Sequence, residues 1–226
     1  MDRTGRKTPV PDAESPVIEF FFEFASPYSY LASLELPAMA ERYGAKLLWR
    51  PIDIAKVWEA QGVLDSYAAI RRLKSGYIAA DAARAAAARG VKLTFPATSG
   101  NPAPARLVFY ALAATDPARA VAFAQAVWRR RFKGEATSEP GDLVAAFPGL
   151  SAEWIAAACA DSVAAGLLAA SNDAAVASRC FGAPWVLCGS QTFFGQDRLY
   201  LLETVLKTAS AASASRTVSV KQEGAS

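Results

Sequence analysis

The sequence predicts an α/β fold of the order β-α-β, helical insert, β-β-α, and three observations carry that prediction. An apolar run from Val17 to Phe24 stops at Ser26-Pro27, where helical spacing begins, and a second short apolar run, 46–50, follows about twenty residues later. Near the other end, two four-residue runs flank Gly189-Ser190 and precede another helical pattern. Between these β-forming regions lies a long stretch dominated by alanine and arginine, both good helix formers.

The first run, read as a strand, places Ile18, Phe20, Phe22 and Phe24 on one face and Val17, Glu19, Phe21 and Glu23 on the other. Ser26 before Pro27 is the order of an N-cap followed by proline at the first helical position, where a missing N–H costs nothing. Leu31, Leu34 and Ala38 continue the helix to a stop at Gly44, with Pro37 expected to kink or divide it near Leu36. Lys46 to Arg50 then reads as a strand ended by Pro51, so strand, helix and strand form a parallel unit with a right-handed crossover.

From residue 54 to about 172 the chain should be helical over 66–89, 103–114, 117–132 and 151–171, with loops at 96–104 and 133–142. Bulky Tyr77, Phe109, Phe123 and Trp128 recur within it, which argues for packed helices over low complexity. In the last third, Gly189 at the first position of a two-residue loop suits a type II′ hairpin. A helix starting near Gln196-Asp197 would place Leu199, Leu202 and Leu206 on one face. The expected organisation is a disordered segment 1–16, a β-containing unit from 17–53 and 181–207, a helical insertion domain 54–180, and a disordered tail 208–226.

Composition excludes several classes of function. A formal charge of +3 with no basic run interleaved with aromatics makes nucleic acid an unexpected partner. No apolar stretch reaches the roughly 18 residues that span a bilayer, and 1–16 lack the apolar core of a secretory signal, so the expectation is a soluble cytoplasmic protein without a membrane partner. Histidine is absent, which removes Ser-His triads and His-ligated metals. Cys159, Cys180 and Cys188 have no metal-ligand spacing, so no metal is expected. They read as buried and reduced, although Cys180 lies four residues before Pro184 and is the one to watch.

The stretch that carries chemistry is Ser26-Pro27-Tyr28-Ser29. A helix N-terminus bears about half a positive charge, so an anion beside the Ser26 hydroxyl would be stabilised, while the plainer alternative is that Ser26 only caps the helix. Thioredoxin-like redox proteins keep Cys-x-x-Cys at such a strand-to-helix turn; here both sulfurs are hydroxyls, and no disulfide can form. The element order is the thioredoxin plan with an insertion. Gly182-Ala183-Pro184 stands before the hairpin, where that fold keeps a cis proline, although X-Pro bonds in general are mostly trans.

Three segments, 21–32, Phe181-Gly182-Ala183-Pro184 and Phe194-Gly195-Gln196-Asp197-Arg198-Leu199, resemble the 2-hydroxychromene-2-carboxylate isomerases and the related kappa-class glutathione transferases of the DsbA-like branch of the thioredoxin superfamily. Weaker matches are Ile52-Asp53, then Lys74, Tyr77, Asp81 and Arg84, then Phe95-Pro96. The resemblance implies glutathione as cofactor, with the Ser26 hydroxyl as catalytic donor to its sulfur. It implies backbone pairing of Ala183, beside Pro184, with the cysteinyl part. Phe194, Gly195 and Gln196 would lie at the γ-glutamyl end, where N–H groups can hold the carboxylate and Asp197 can meet the ammonium, unless Asp197 is only a charge at a helix start. The implied activity is isomerisation of an unsaturated aromatic 2-oxo acid such as 2-hydroxychromene-2-carboxylate by reversible conjugate addition of the thiolate, in a homodimer, with a small aromatic carboxylate as substrate. Kappa-like transferase or peroxidase activity, or glutathione binding without catalysis, are the alternatives. For the substrate, Lys56 and Lys74 could bind a carboxylate or be solvated, Trp58 could be an aromatic wall or core, and Asn101, in a loop that departs from the family pattern, could face the pocket.

Overall fold

A computed structural model describes residues 15–97 and 100–210; the terminal segments assigned above to disorder, and Thr98 and Ser99, lie wholly or mostly outside that range. The elements in order are β1 (Val17–Phe22), α1 (Pro27–Arg42), β2 (Lys46–Pro51), α2 (Ile54–Ala60), α3 (Leu64–Ala87), α4 (Ala103–Ala113), α5 (Pro117–Arg131), α6 (Pro140–Ala146), α7 (Ala152–Ala160), α8 (Ser162–Ala177), β3 (Trp185–Cys188) and β4 (Gln191–Phe194). A 3-10 turn, Gln196–Arg198, leads into α9, residues 199–210. This is the thioredoxin-like β-α-β and β-β-α plan interrupted by helices.

The four strands lie in the order β2-β1-β3-β4, with β1 parallel to β2 and antiparallel to β3. The alternation in β1 covers both faces of the sheet. Ile18, Phe20 and Phe22 pack into one core, which also holds Phe109, Phe123 and Trp128 from the helical block. Phe21 turns to a smaller core with Ile52, Val57, Trp58 and Trp185. At the hairpin, Cys188 pairs with Gln191, and Gly189 takes φ +58° while Ser190 stays out of the left-handed region, as a type II′ turn requires.

Several boundaries differ from the sequence reading for identifiable reasons. Pro37 neither ends nor divides α1: the carbonyl it leaves free, on Ser33, accepts from Gln125 Nε2 of α5 at 3.2 Å. Asp53 caps a short helix, α2, that the alanine-based reading passes over. The expected helix over 151–171 is two, because Asp161 is extended and caps Val163, turning the axis by 58°. α6 begins inside the stretch read as loop, nucleated by Asp142 accepting from the Ser138 and Glu139 N–H groups. The last α-helix starts after a 3-10 turn and continues through 208–210, past the boundary expected at 207. Among the described residues no single helix is long and apolar enough to cross a membrane.

Candidate active site

β1 ends beside β2, and the chain then turns tightly: the Ser26 N–H donates to the Glu23 carbonyl at 3.0 Å. Ser26 is extended (φ −87°, ψ 116°) and its Oγ accepts the Ser29 N–H at 3.1 Å, so it is the N-cap that the Ser-Pro order predicts. The same hydroxyl donates its proton to the Ala183 carbonyl at 2.9 Å. The two serines of the motif therefore do different work. Ser26 stays half-buried at the mouth of α1, whereas the Ser29 side chain is fully buried and accepts the Glu23 N–H at 3.4 Å.

Ala183 precedes a cis Pro184. Among the described residues its N–H makes no hydrogen bond, which leaves a backbone donor beside Ser26. The loop is held from several sides: Trp58 Nε1 donates to the Phe181 carbonyl at 3.0 Å, Gln61 Nε2 to the Cys180 carbonyl at 2.8 Å, and Gly195 N–H to the Pro184 carbonyl at 3.0 Å. Trp58, buried and stacked on Tyr67 with ring centres 5.1 Å apart, belongs to the core behind the loop. Gly182 is needed because a Cβ there would lie 2.6 Å from the Phe194 ring, which packs on Phe181 with centres 4.6 Å apart. Burial raises the Cys180 thiol to about 12, and its Sγ donates to the Gly182 carbonyl; it is a structural group.

On the far side of Pro184, the Gly195 N–H is committed to the Pro184 carbonyl, and among the described residues the N–H groups of Gln196 and Asp197 at the start of the 3-10 turn are left without a partner. The buried Gln196 side chain accepts from Arg89, whose Nε also pairs with Glu35 at 2.5 Å, fastening the end of α3 to α1. Asp197 is exposed and pairs with Arg198 at 2.7 Å. Between these points Tyr28 donates to Asp81 of α3 at 2.7 Å. Burial and that bond hold the Tyr28 phenol well above the usual tyrosine range, and the same hydroxyl holds the Asp81 carboxyl below its own. The pair joins the Ser26 motif to the Tyr77-Asp81-Arg84 face of α3, a contact that helical spacing alone does not reveal.

Of the four substrate candidates, Trp58 supports the Phe181 carbonyl as described above, and the other three stand on α2, on α3 and in the loop before α4. Lys56 is exposed and lines a groove of about 210 Å3 between α2 and α8, with Asn172 and Asp173. Lys74 is exposed in the middle of α3, and Asn101 Oδ1 accepts the Ala103 N–H at the start of α4. Glu23 and Asp53, which fall in segments that carry the resemblance, meet a partner that the sequence does not reveal. Arg106 of α4, 4 % exposed, places Nη2 2.7 Å from Glu23 and Nη1 3.1 Å from Asp53. An arginine in an alanine-rich helix gives no sequence sign of burial.

A hydroxyl donor and a helix N-terminus at Ser26, with N–H groups at Ala183, Gln196 and Asp197 that are unpaired among the described residues, offer donors of the kind that suit an anionic ligand. Ser26 carries one proton, so serving such a ligand means turning it away from Ala183. Among the described residues no cluster of acids and cysteines could hold a metal ion.

Comparison with known proteins agrees with this architecture. The model of the DSBA-like thioredoxin domain matches residues 17–207. A 2-hydroxychromene-2-carboxylate isomerase of Sphingobium xenophagum is 34% identical over 195 residues, 84% of this chain and 97% of that protein. One of Pseudomonas putida is 30% identical over 193 residues, 84% of this chain and 94% of that protein. A solved 2-hydroxychromene-2-carboxylate isomerase structure superposes with a TM-score of 0.75 at 27% identity, covering 88% of this chain and 98% of its own. The chain belongs to the DSBA-like thioredoxin family, among its 2-hydroxychromene-2-carboxylate isomerase relatives.

Proposed function

We propose that the protein is a glutathione-dependent isomerase of unsaturated aromatic 2-oxo acids of the 2-hydroxychromene-2-carboxylate kind. The observation that carries the reading is the placement of the Ser26 hydroxyl, at the N-terminus of α1 and 2.9 Å from the Ala183 carbonyl, where redox members of the fold keep a sulfur of their own. Bound glutathione would supply the nucleophilic sulfur for reversible conjugate addition, after which it is released unchanged.

The chain's own residues would bind and polarise. Ser26 donates a hydrogen bond toward the sulfur, and the α1 terminus adds its partial positive charge, both favouring the anion. The Ala183 N–H pairs with the cysteinyl backbone. The N–H groups of Gln196 and Asp197 meet the γ-glutamyl carboxylate, and the Asp197 side chain meets the ammonium. Phe194 and Phe181 shape the wall beside them. Cytoplasmic location and a homodimer complete the proposal, with light scattering and cell fractionation as their direct checks.

The test is incubation with 2-hydroxychromene-2-carboxylate and substoichiometric glutathione. Many product molecules per glutathione, with the thiol recovered, support the isomerase. Loss of thiol in step with product identifies a transferase instead, and turnover indifferent to glutathione removes the proposal.

A further inference from the structure

We propose that Arg106 is a positioning residue that holds both sides of the Ser26–Ala183 contact in register. The inference rests on the reading that Ser26 serves the reaction, and it adds the device that keeps the hydroxyl in place.

Parallel β1 and β2 end side by side, Phe22 opposite Pro51, so the turns that follow them leave the same edge of the sheet. Glu23 begins the first turn, and its carbonyl and N–H hold the Ser26 N–H and the Ser29 hydroxyl. Asp53 begins the second, capping α2 through Oδ1. α2 in turn supplies Trp58, and Gln61 follows it directly; these fasten the carbonyls of Phe181 and Cys180 in the loop that carries Ala183. Arg106 reaches Glu23 with one terminal nitrogen and Asp53 with the other. A single guanidinium thus spans the support of the donor and the support of the acceptor.

Stability alone is a poor account of this arrangement. Removing such charges from water costs several kcal/mol per ion, and well-packed apolar side chains of the same volume often stabilise as well. Here Glu23 Oε1 and Arg106 Nε have no hydrogen-bond partner among the described residues, which adds to the cost. What an apolar replacement could not supply is the planar, two-pronged geometry that sets the two turns at a fixed distance.

The experiment compares Arg106→Met, Arg106→Lys and Asp53→Asn with wild type. Backbone amide hydrogen exchange at Ser26 and Ser29 is read in the ligand-free protein, alongside kcat, KM for glutathione and melting temperature. Expected for Arg106→Met are about tenfold faster exchange at those two amides and a kcat lower by about tenfold to a hundredfold, the scale of a misplacement near 1 Å. KM should change little, and lysine should restore part of kcat because it keeps one contact. Asp53→Asn keeps the cap oxygen and the Glu23 pair, so it reports on the clamp even if Arg106→Met does not fold, with smaller changes in the same direction. Wild-type exchange at Ser26 and Ser29 in the folded variants overturns the clamp, whatever the activity. An inactive wild type with faster exchange in the variants would remove the isomerase reading and leave the clamp standing.

Discussion

The Ser26 hydroxyl donates to the Ala183 carbonyl across 2.9 Å, joining residues 157 positions apart in the chain. Replacing Ser26 with alanine removes both this contact and the cap on Ser29. Turnover should fall by about a hundredfold to a thousandfold, the usual cost of losing a donor aimed at a developing or bound anion. Stability should fall by about 1–3 kcal/mol, the cost of a lost cap together with a lost hydrogen bond. Steady-state kinetics and thermal melts on the same sample separate the two effects.

Gly182→Ala tests the packing of the Ala183 loop against Phe194. The new Cβ would lie 2.6 Å from the Phe194 ring, so the ring or the loop must give way. The expected penalty is about 1–3 kcal/mol in a denaturant melt, accompanied by weaker glutathione binding in calorimetry because Phe194 leads directly into Gly195 and Gln196. An unchanged melt would mean that the ring moves freely.

Asp197→Asn addresses the γ-glutamyl end. The side chain is exposed and shared with Arg198, so the loss should be modest, about fivefold in glutathione affinity, as for an exposed ion pair. Turnover at saturating glutathione should be nearly unaffected. A fall in kcat with unchanged affinity would place Asp197 elsewhere in the cycle.

The Tyr28–Asp81 bond ties α3 to α1 and should contribute stability with a defined pH window. Because the Asp81 carboxyl is held below its ordinary range, its contribution is present above that range and is lost as pH falls through its lowered value. Because the Tyr28 phenol is held above its ordinary value, that contribution is full below about 10, the usual tyrosine value, and is lost as pH rises beyond it. Denaturation midpoints of wild type and Asp81→Asn should therefore differ at neutral pH and converge on acidification. A gap that widened in acid would contradict the assignment.

Much of this was legible in the residues. The alternation of β1, the Ser-Pro cap and the Gly189 turn place the strands and α1, because periodicity and turn chemistry are local, while the three separated motifs pointed to the family through their resemblance. What was not legible depended on distant partners. Gln125 rescues the carbonyl freed by Pro37, and Arg106 is buried by pairing with two acids that stand 83 and 53 positions away. Lys56 and Lys74 are exposed on helices and Asn101 accepts from Ala103, and polar side chains in such places look alike in sequence, whether they line a site or face solvent. Trp58 was read as wall or core, and its bond to Phe181 makes it the support of the loop.

The most direct measurement is the thiol pKa of glutathione bound to the protein, followed by the ultraviolet absorbance of its thiolate, in wild type and Ser26→Ala. A charge-assisted hydrogen bond is worth about 1.5–3 kcal/mol, and about 1.4 kcal/mol corresponds to one pKa unit. The wild-type value should therefore lie clearly below that of the free thiol, and the variant should rise by about one to two units. Equal values in the two proteins, with glutathione bound in both, would show that the hydroxyl does not act on the sulfur.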